Sequence, residues 1–144
     1  MPLPPGKRFH YFLSHKKRHS KLNAVPEQVA KNFHDCLELS GFQGWFDIDN
    51  LQKITKDDIR AGIAECCTLI VCLHDETMDS EWCAFEWQTA YELGVPIKCV
   101  VDMQRHSKET ILTRCLAEFP MLMTFQWVEF TERHRRKCIL ELGA

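Results

Sequence analysis

The chain has 144 residues, 45% of them hydrophobic, and a formal charge of −2, which is enough apolar material for one compact domain without cross-links. Charges of both signs are interspersed, so there is no electrostatic footprint for nucleic acid or an anionic membrane, and no apolar run approaches the ~20 residues of a membrane span. The eight cysteines fall mostly inside apolar runs, where a free thiol packs as a small hydrophobe; they read as reduced and the compartment as cytoplasmic.

Residues 1–7 are Pro-rich and lack the apolar core of a signal peptide, which reads as a flexible leader before a single domain over residues 8–142. Residues 9–14 (FHYFLS) predict a first strand, and apolar residues at Val29, Ala30, Phe33, Cys36, Leu37 and Leu39 predict a helix over 26–40 that Gly41 stops. Residues 44–48 (GWFDI) read as a second strand. Asp57 is placed to cap a helix running through Cys66 with Ile59 and Ile63 on its apolar face. The uninterrupted run 68–73 (TLIVCL) has the composition of a strand covered on both faces. Asp79 or Ser80 can cap a helix over 81–93 that Gly94 and Pro96 end. A fourth strand over 97–101, a weaker helix over 108–118, a fifth strand over 121–127 and a closing amphipathic helix over 131–142 complete the alternation.

Strands and helices alternating at this spacing predict an α/β fold: a flavodoxin-like three-layer sandwich whose five-stranded parallel sheet has order 2-1-3-4-5, with helices on both faces. Ligands of such sheets bind outside the carboxyl ends of the strands where the order reverses, here between strands one and three, so the crevice is lined by residues 14–20 and 74–86. The run His15, Lys16, Lys17, Arg18, His19 enters it from one side, either as a solvated loop or as a partner for phosphates.

Residues 80–87 (SEWCAFEW) enter from the other side. Trp82 and Glu86 are four apart and fall with Thr89, Ala90 and Leu93 on one stripe. A carboxylate within an apolar face is costly unless it is paired or kept for function, and Trp82 taken alone suits a core. Asp47, ending the second strand, serves a site or caps a turn. His15 and His19 have helical ligand spacing but no third ligand, so no metal is expected. The absence of G-x-G-x-x-G argues against redox use of a dinucleotide, and Ser14 lacks the G-x-S-x-G surroundings of a hydrolase nucleophile. A phosphoacceptor receiver is disfavoured because Ser14 and His74 stand where its acids would follow strands one and three.

Taken in order, FHYFLSHKK, GFQGWFDIDNL and SEWCAFEW resemble three segments of the TIR domain, over about residues 8–142. The resemblance implies NAD+ cleavage to nicotinamide and ADP-ribose or a cyclic product, in immune or cell-death signalling activated by self-association. It makes Glu86 the catalytic residue and puts His15, Lys16, Lys17, Asp47 and Trp82 at the substrate. It requires no cofactor, with NAD+ as substrate rather than prosthetic group. Ile48, Leu51 and Ile54, apolar residues of an otherwise polar loop, become candidates for contacts between TIR domains, or for folding back onto the chain's own core. This loop lacks the Gly that commonly follows Leu51 in the family, and the first segment carries His10 and Tyr11 where an acid and a small or apolar residue are common. A non-catalytic TIR scaffold is the alternative.

Overall fold

The computed structural model describes residues 2–16, 19–46, 55–102, 107–120 and 126–130. The strands are β1 (Phe9–His15), β2 (Gly44–Trp45), β3 (Cys66–Leu73), β4 (Ile97–Asp102) and β5 (Gln126–Phe130), and the α-helices are α1 (Val25–Leu39), α2 (Lys56–Ala64), α3 (Glu81–Leu93) and α4 (Lys108–Glu118). All four strand pairings are parallel and the order is β2-β1-β3-β4-β5. This is the flavodoxin-like arrangement, and its order reverses between β1 and β3. None of the described helices is long and apolar enough to cross a membrane.

Side chains alternate along each strand, so the sheet feeds two cores. Phe12, Leu69, Val71, Cys99 and Val101 pack against Ile59 and Ile63 of α2, Cys83, Trp87 and Ala90 of α3, and Ile111 and Cys115 of α4. Tyr11, Leu13, Ile70, Val100 and Val128 face the other way, toward Val29, Ala30, Phe33 and Leu37 of α1. The central strand β3 reads as a near-continuous apolar run for this reason.

Helix termini follow local chemistry. Ser80 accepts from the Cys83 N–H at the start of α3, Ser107 from the Thr110 N–H at the start of α4, and Gly94 ends α3 at φ +70°, a conformation in which a Cβ is strained. Pro26 occupies the first turn of α1, where its missing N–H costs nothing. The α2 cap is Thr55 rather than Asp57: Thr55 and Asp58 form a reciprocal capping box. That helix stops at Ala64 instead of continuing through Cys66, because Cys66 already pairs with Phe9 in the β1–β3 ladder.

In α1 the buried stripe is Val29, Ala30, Phe33, His34 and Leu37, with Leu39 88% exposed. His34 enters the core by sharing a 2.6 Å hydrogen bond between its Nδ1 and the Tyr11 hydroxyl and facing Glu38 at 3.2 Å through Nε2. Gly44 makes room for the same tyrosine, since a Cβ there would land on the Tyr11 ring. β5 is set by its register on β4, with Lys98 opposite Gln126 and Val100 opposite Val128, so it extends past the predicted 121–127. Of the predicted leader, Lys7 is held by its ammonium on the Ala64 carbonyl, 3.0 Å away. The predicted closing helix lies outside the described residues.

Candidate functional site

At the reversal point β1 delivers Ser14, and the turn after β3 delivers α3. Strand alternation puts Ser14 on the face of Phe12, under α3, and there its hydroxyl donates to Glu86 Oε1 at 2.9 Å. The Trp87 indole N–H donates to the same Ser14 oxygen at 3.0 Å. Ser14 and Trp87 are fully buried and Glu86 is 8% exposed. A carboxylate in such surroundings needs hydrogen bonds to offset its desolvation, and Ser14 supplies one. Cys83 lies one turn before Trp87; burial and then the negative charge of Glu86 push its thiol up to about 12, so it is a neutral packing group and no nucleophile.

Trp82, expected on the stripe with Glu86, is 50% exposed, and Leu93 is exposed as well. The buried arc of α3 is Cys83, Glu86, Trp87, Thr89 and Ala90. The helix is thus rotated from the predicted face toward Trp87. Glu86 sits near the middle of the arc, while Trp82 lies at its rim in the first turn. Trp82 is therefore not a core side chain.

The basic run divides. Lys16 lies close enough to α3 and the preceding turn for its charge to act on Cys83 and Asp79. His15 is turned to the opposite face, its ring against Phe46 at 5.0 Å, and is not brought to Glu86. The reason is the period of the strand: neighbours on β1 cannot share a face. Lys17, Asp47, Ile48, Leu51 and Ile54 lie outside the described residues.

The rest of the crevice wall is a polar brace that the sequence did not reveal. His19 donates from Nε2 to Asp75 at 2.7 Å, and its Nδ1 accepts the N–H groups of Lys21 and Leu22 at 3.1 and 3.3 Å. Glu76 accepts the Ser20 N–H at 2.8 Å and also bonds the Ser20 hydroxyl. These Ser20 bonds, hydroxyl first, hold the Glu76 carboxyl below its ordinary range. From α4, Arg114 donates to the Asp75 carbonyl at 2.7 Å, to Asp79 at 2.8 Å and to Glu118 at 2.7 Å.

Ligand-capable atoms of His19, His74 and Asp75 lie within 4.8 Å of one another. The hydrogen bonds nevertheless assign the His19 proton to Nε2. A ring coordinating a metal through that atom would carry its proton on Nδ1, where two backbone N–H groups already point. His74 Nδ1 is likewise an acceptor, from the Glu76 N–H at 3.0 Å. The cluster is therefore built as a brace between the β1 loop and the β3 turn, and the donor set does not suit a cation. The described cysteines are all free thiols.

The TIR-domain family model matches residues 12–140, which includes both walls of this crevice. The chain belongs to the TIR-domain family. No curated protein matches it significantly. Among solved structures, the TIR domains of the activated Roq1 resistosome, which directly recognises the pathogen effector XopQ, superpose with a TM-score of 0.61 at 13% identity, covering 94% of this chain and 98% of that one. A metazoan TIR-STING receptor from C. gigas superposes with a TM-score of 0.70 at 16% identity, covering all of this TIR domain. The present chain spans 43% of that receptor chain. At such identities the likeness concerns the fold.

Proposed function

We propose that this TIR domain cleaves NAD+ at the nicotinamide–ribose bond, with Glu86 as the catalytic carboxylate. The reading is carried by one observation: a buried acid on the site-forming helix, hydrogen-bonded by Ser14, at the carboxyl edge of the sheet where the strand order reverses. The pyridinium leaving group is already cationic. When the ribose C1′–N bond breaks, its electron pair moves to the ring nitrogen and nicotinamide departs neutral, so no general acid is needed. Positive charge develops on the ribose, as in glycoside hydrolysis, and a preorganised carboxylate in a dry site stabilises it more than water would.

Attack by water, with loss of its proton, gives ADP-ribose; attack by an adenine nitrogen gives a cyclic product. In this reading Lys16 and Lys17 meet the pyrophosphate, Trp82 offers a ring surface, and Asp47 adds a further substrate contact. Self-association as the activating step, in immune or cell-death signalling, is supported by the likeness to TIR domains solved within an activated resistosome and a TIR-STING receptor.

The test incubates concentrated protein with NAD+ and follows nicotinamide. Wild type is expected to release it, and Glu86→Gln to do so at least ~100-fold more slowly, the scale of removing one key electrostatic group, with an unchanged circular dichroism spectrum. A folded Glu86→Gln variant with full activity rejects the assignment, and a wild type that releases none leaves the scaffold reading.

A further inference from the structure

Two buried groups lie beside Glu86 without touching the reacting atoms in the chemistry above: the Ser14 hydroxyl, which bonds the carboxylate, and the Trp87 indole. We propose that Ser14 is a positioning residue, the centre of a one-way hydrogen-bond relay from Trp87 through Ser14 to Glu86 that aims the carboxylate and favours its charged form. The catalytic part of this proposal rests on the NAD+ reading; the relay itself does not.

The direction follows from donor inventory. A serine hydroxyl ordinarily rotates to suit its neighbours, but an indole N–H only donates. With Trp87 Nε1 at 3.0 Å, the Ser14 oxygen must accept there, and its single proton goes to Glu86 Oε1 at 2.9 Å. The indole cannot swing away, since Trp87 is fully buried with the Phe119 ring set edge-on at 5.0 Å. Bonds in series polarise one another where the dielectric is low. Donation to the charged form of a carboxylate favours that form.

Among the described residues, the ionisable groups near the relay include Cys83 from α3, a neutral thiol also in hydrogen-bond range of Ser14, and Lys16 from the end of β1, whose charge acts on Cys83. Because Ser14 comes from β1 while Trp87 and Glu86 are consecutive on α3, the relay also fixes the helix to the strand at the site.

The relay is read directly by indole 15N NMR. The chain has four tryptophans, and Trp87→Phe assigns one signal. In wild type the Trp87 N–H signal is expected to shift on acid titration as Glu86 gains a proton and the relay loses its terminal acceptor. The shift should vanish in Glu86→Gln and in Ser14→Ala, and return in Ser14→Thr. In the nicotinamide assay Ser14→Ala should lower kcat about tenfold, the usual worth of a hydrogen bond to a charged group. KM should move little, the acid limb of the rate profile should move to higher pH, and Ser14→Thr should restore both. Should Ser14→Ala not fold, Ser14→Cys, a near-isosteric weak donor, should give a smaller titration shift and an intermediate kcat.

A Trp87 signal that stays flat in folded wild type, or still titrates in a folded Ser14→Ala, overturns the relay. Nicotinamide release lost in Glu86→Gln but unaltered in Ser14→Ala, acid limb included, overturns the positioning role and leaves the NAD+ reading standing. An intact relay in a protein that releases no nicotinamide removes the NAD+ reading and keeps the relay.

Discussion

Lys16 and His15 are neighbours in sequence but serve opposite faces of the sheet: the lysine's charge acts on Cys83 and Asp79, while the histidine ring lies against Phe46. If the lysine meets the pyrophosphate of NAD+, it does so equally in ground and transition states, and its loss should raise KM more than it lowers kcat. Lys16→Ala is therefore expected to raise KM several-fold, roughly the worth of one charged contact, whereas His15→Phe should leave KM near wild type; initial-rate kinetics at low salt decide. An unchanged KM in Lys16→Ala makes the basic run a solvated loop. The same strand period explains what the sequence concealed at this scale. The catalytic role assigned to Glu86 came from the TIR resemblance, but that it is a buried carboxylate was legible because an acid on an apolar face is anomalous on its own. Its supports were not, because a serine on a strand and a tryptophan in a core are ordinary residues, and only the turn of α3 that buries Trp87 and exposes Trp82 makes them partners.

The elements around the crevice are held by charge as well as by packing. Arg114 on α4 reaches Asp79 and Glu118, and its hydrogen bond holds the Asp79 carboxyl below its ordinary range. A carboxyl depressed in the folded state adds stability above its unfolded value of about 4, and that contribution is lost as pH falls through the lowered folded value. With Asp79 55% and Arg114 29% exposed at the side chain, solvent and salt weaken the pair. Arg114→Gln should thus melt below wild type at neutral pH and low salt, with the gap closing both in acid and in high salt; thermal melts at several pH values check this, and a gap unchanged below pH ~3, beneath the ordinary carboxylate range, means packing rather than charge sets it. Element order and strand order were legible in the sequence because buried parallel strands and capped helices leave long-period signals, as at residues 68–73 and at Ser80 and Gly94. Boundaries decided by pairing were not: Cys66 looks helical until Phe9 is found opposite it, and β5 runs past residue 127 in register with β4. The brace of His19, Asp75, Glu76 and Arg114 joins residues distant in sequence and leaves no periodic trace.

At the scale of the molecule, the described part of the candidate site is built from two segments of one chain, the β1 loop with His19 and Ser20 and the β3 turn with α3. A third segment, residues 47–54, joins the edge strand β2 to α2 and carries Ile48, Leu51 and Ile54 among polar neighbours. Apolar side chains in such a connection are candidates for a partner surface, and the partner proposed is a second copy of this chain. The net charge of only −2 opposes self-association weakly. If catalysis needs the neighbour, the active species is at least a dimer and its fraction falls with dilution by mass action. Specific activity per chain is therefore expected to drop steeply across a dilution series spanning the association constant, with sedimentation velocity recording the loss of oligomer over the same range. Leu51→Asp and Ile54→Asp, which place a charge where an apolar contact is required, should shift that transition to higher concentration while the monomer melts as wild type does. A lowered melting temperature in these variants with unchanged concentration dependence assigns the two side chains to the domain's own core. Constant specific activity in a protein that sediments as a monomer while consuming NAD+ means that one chain holds the whole site.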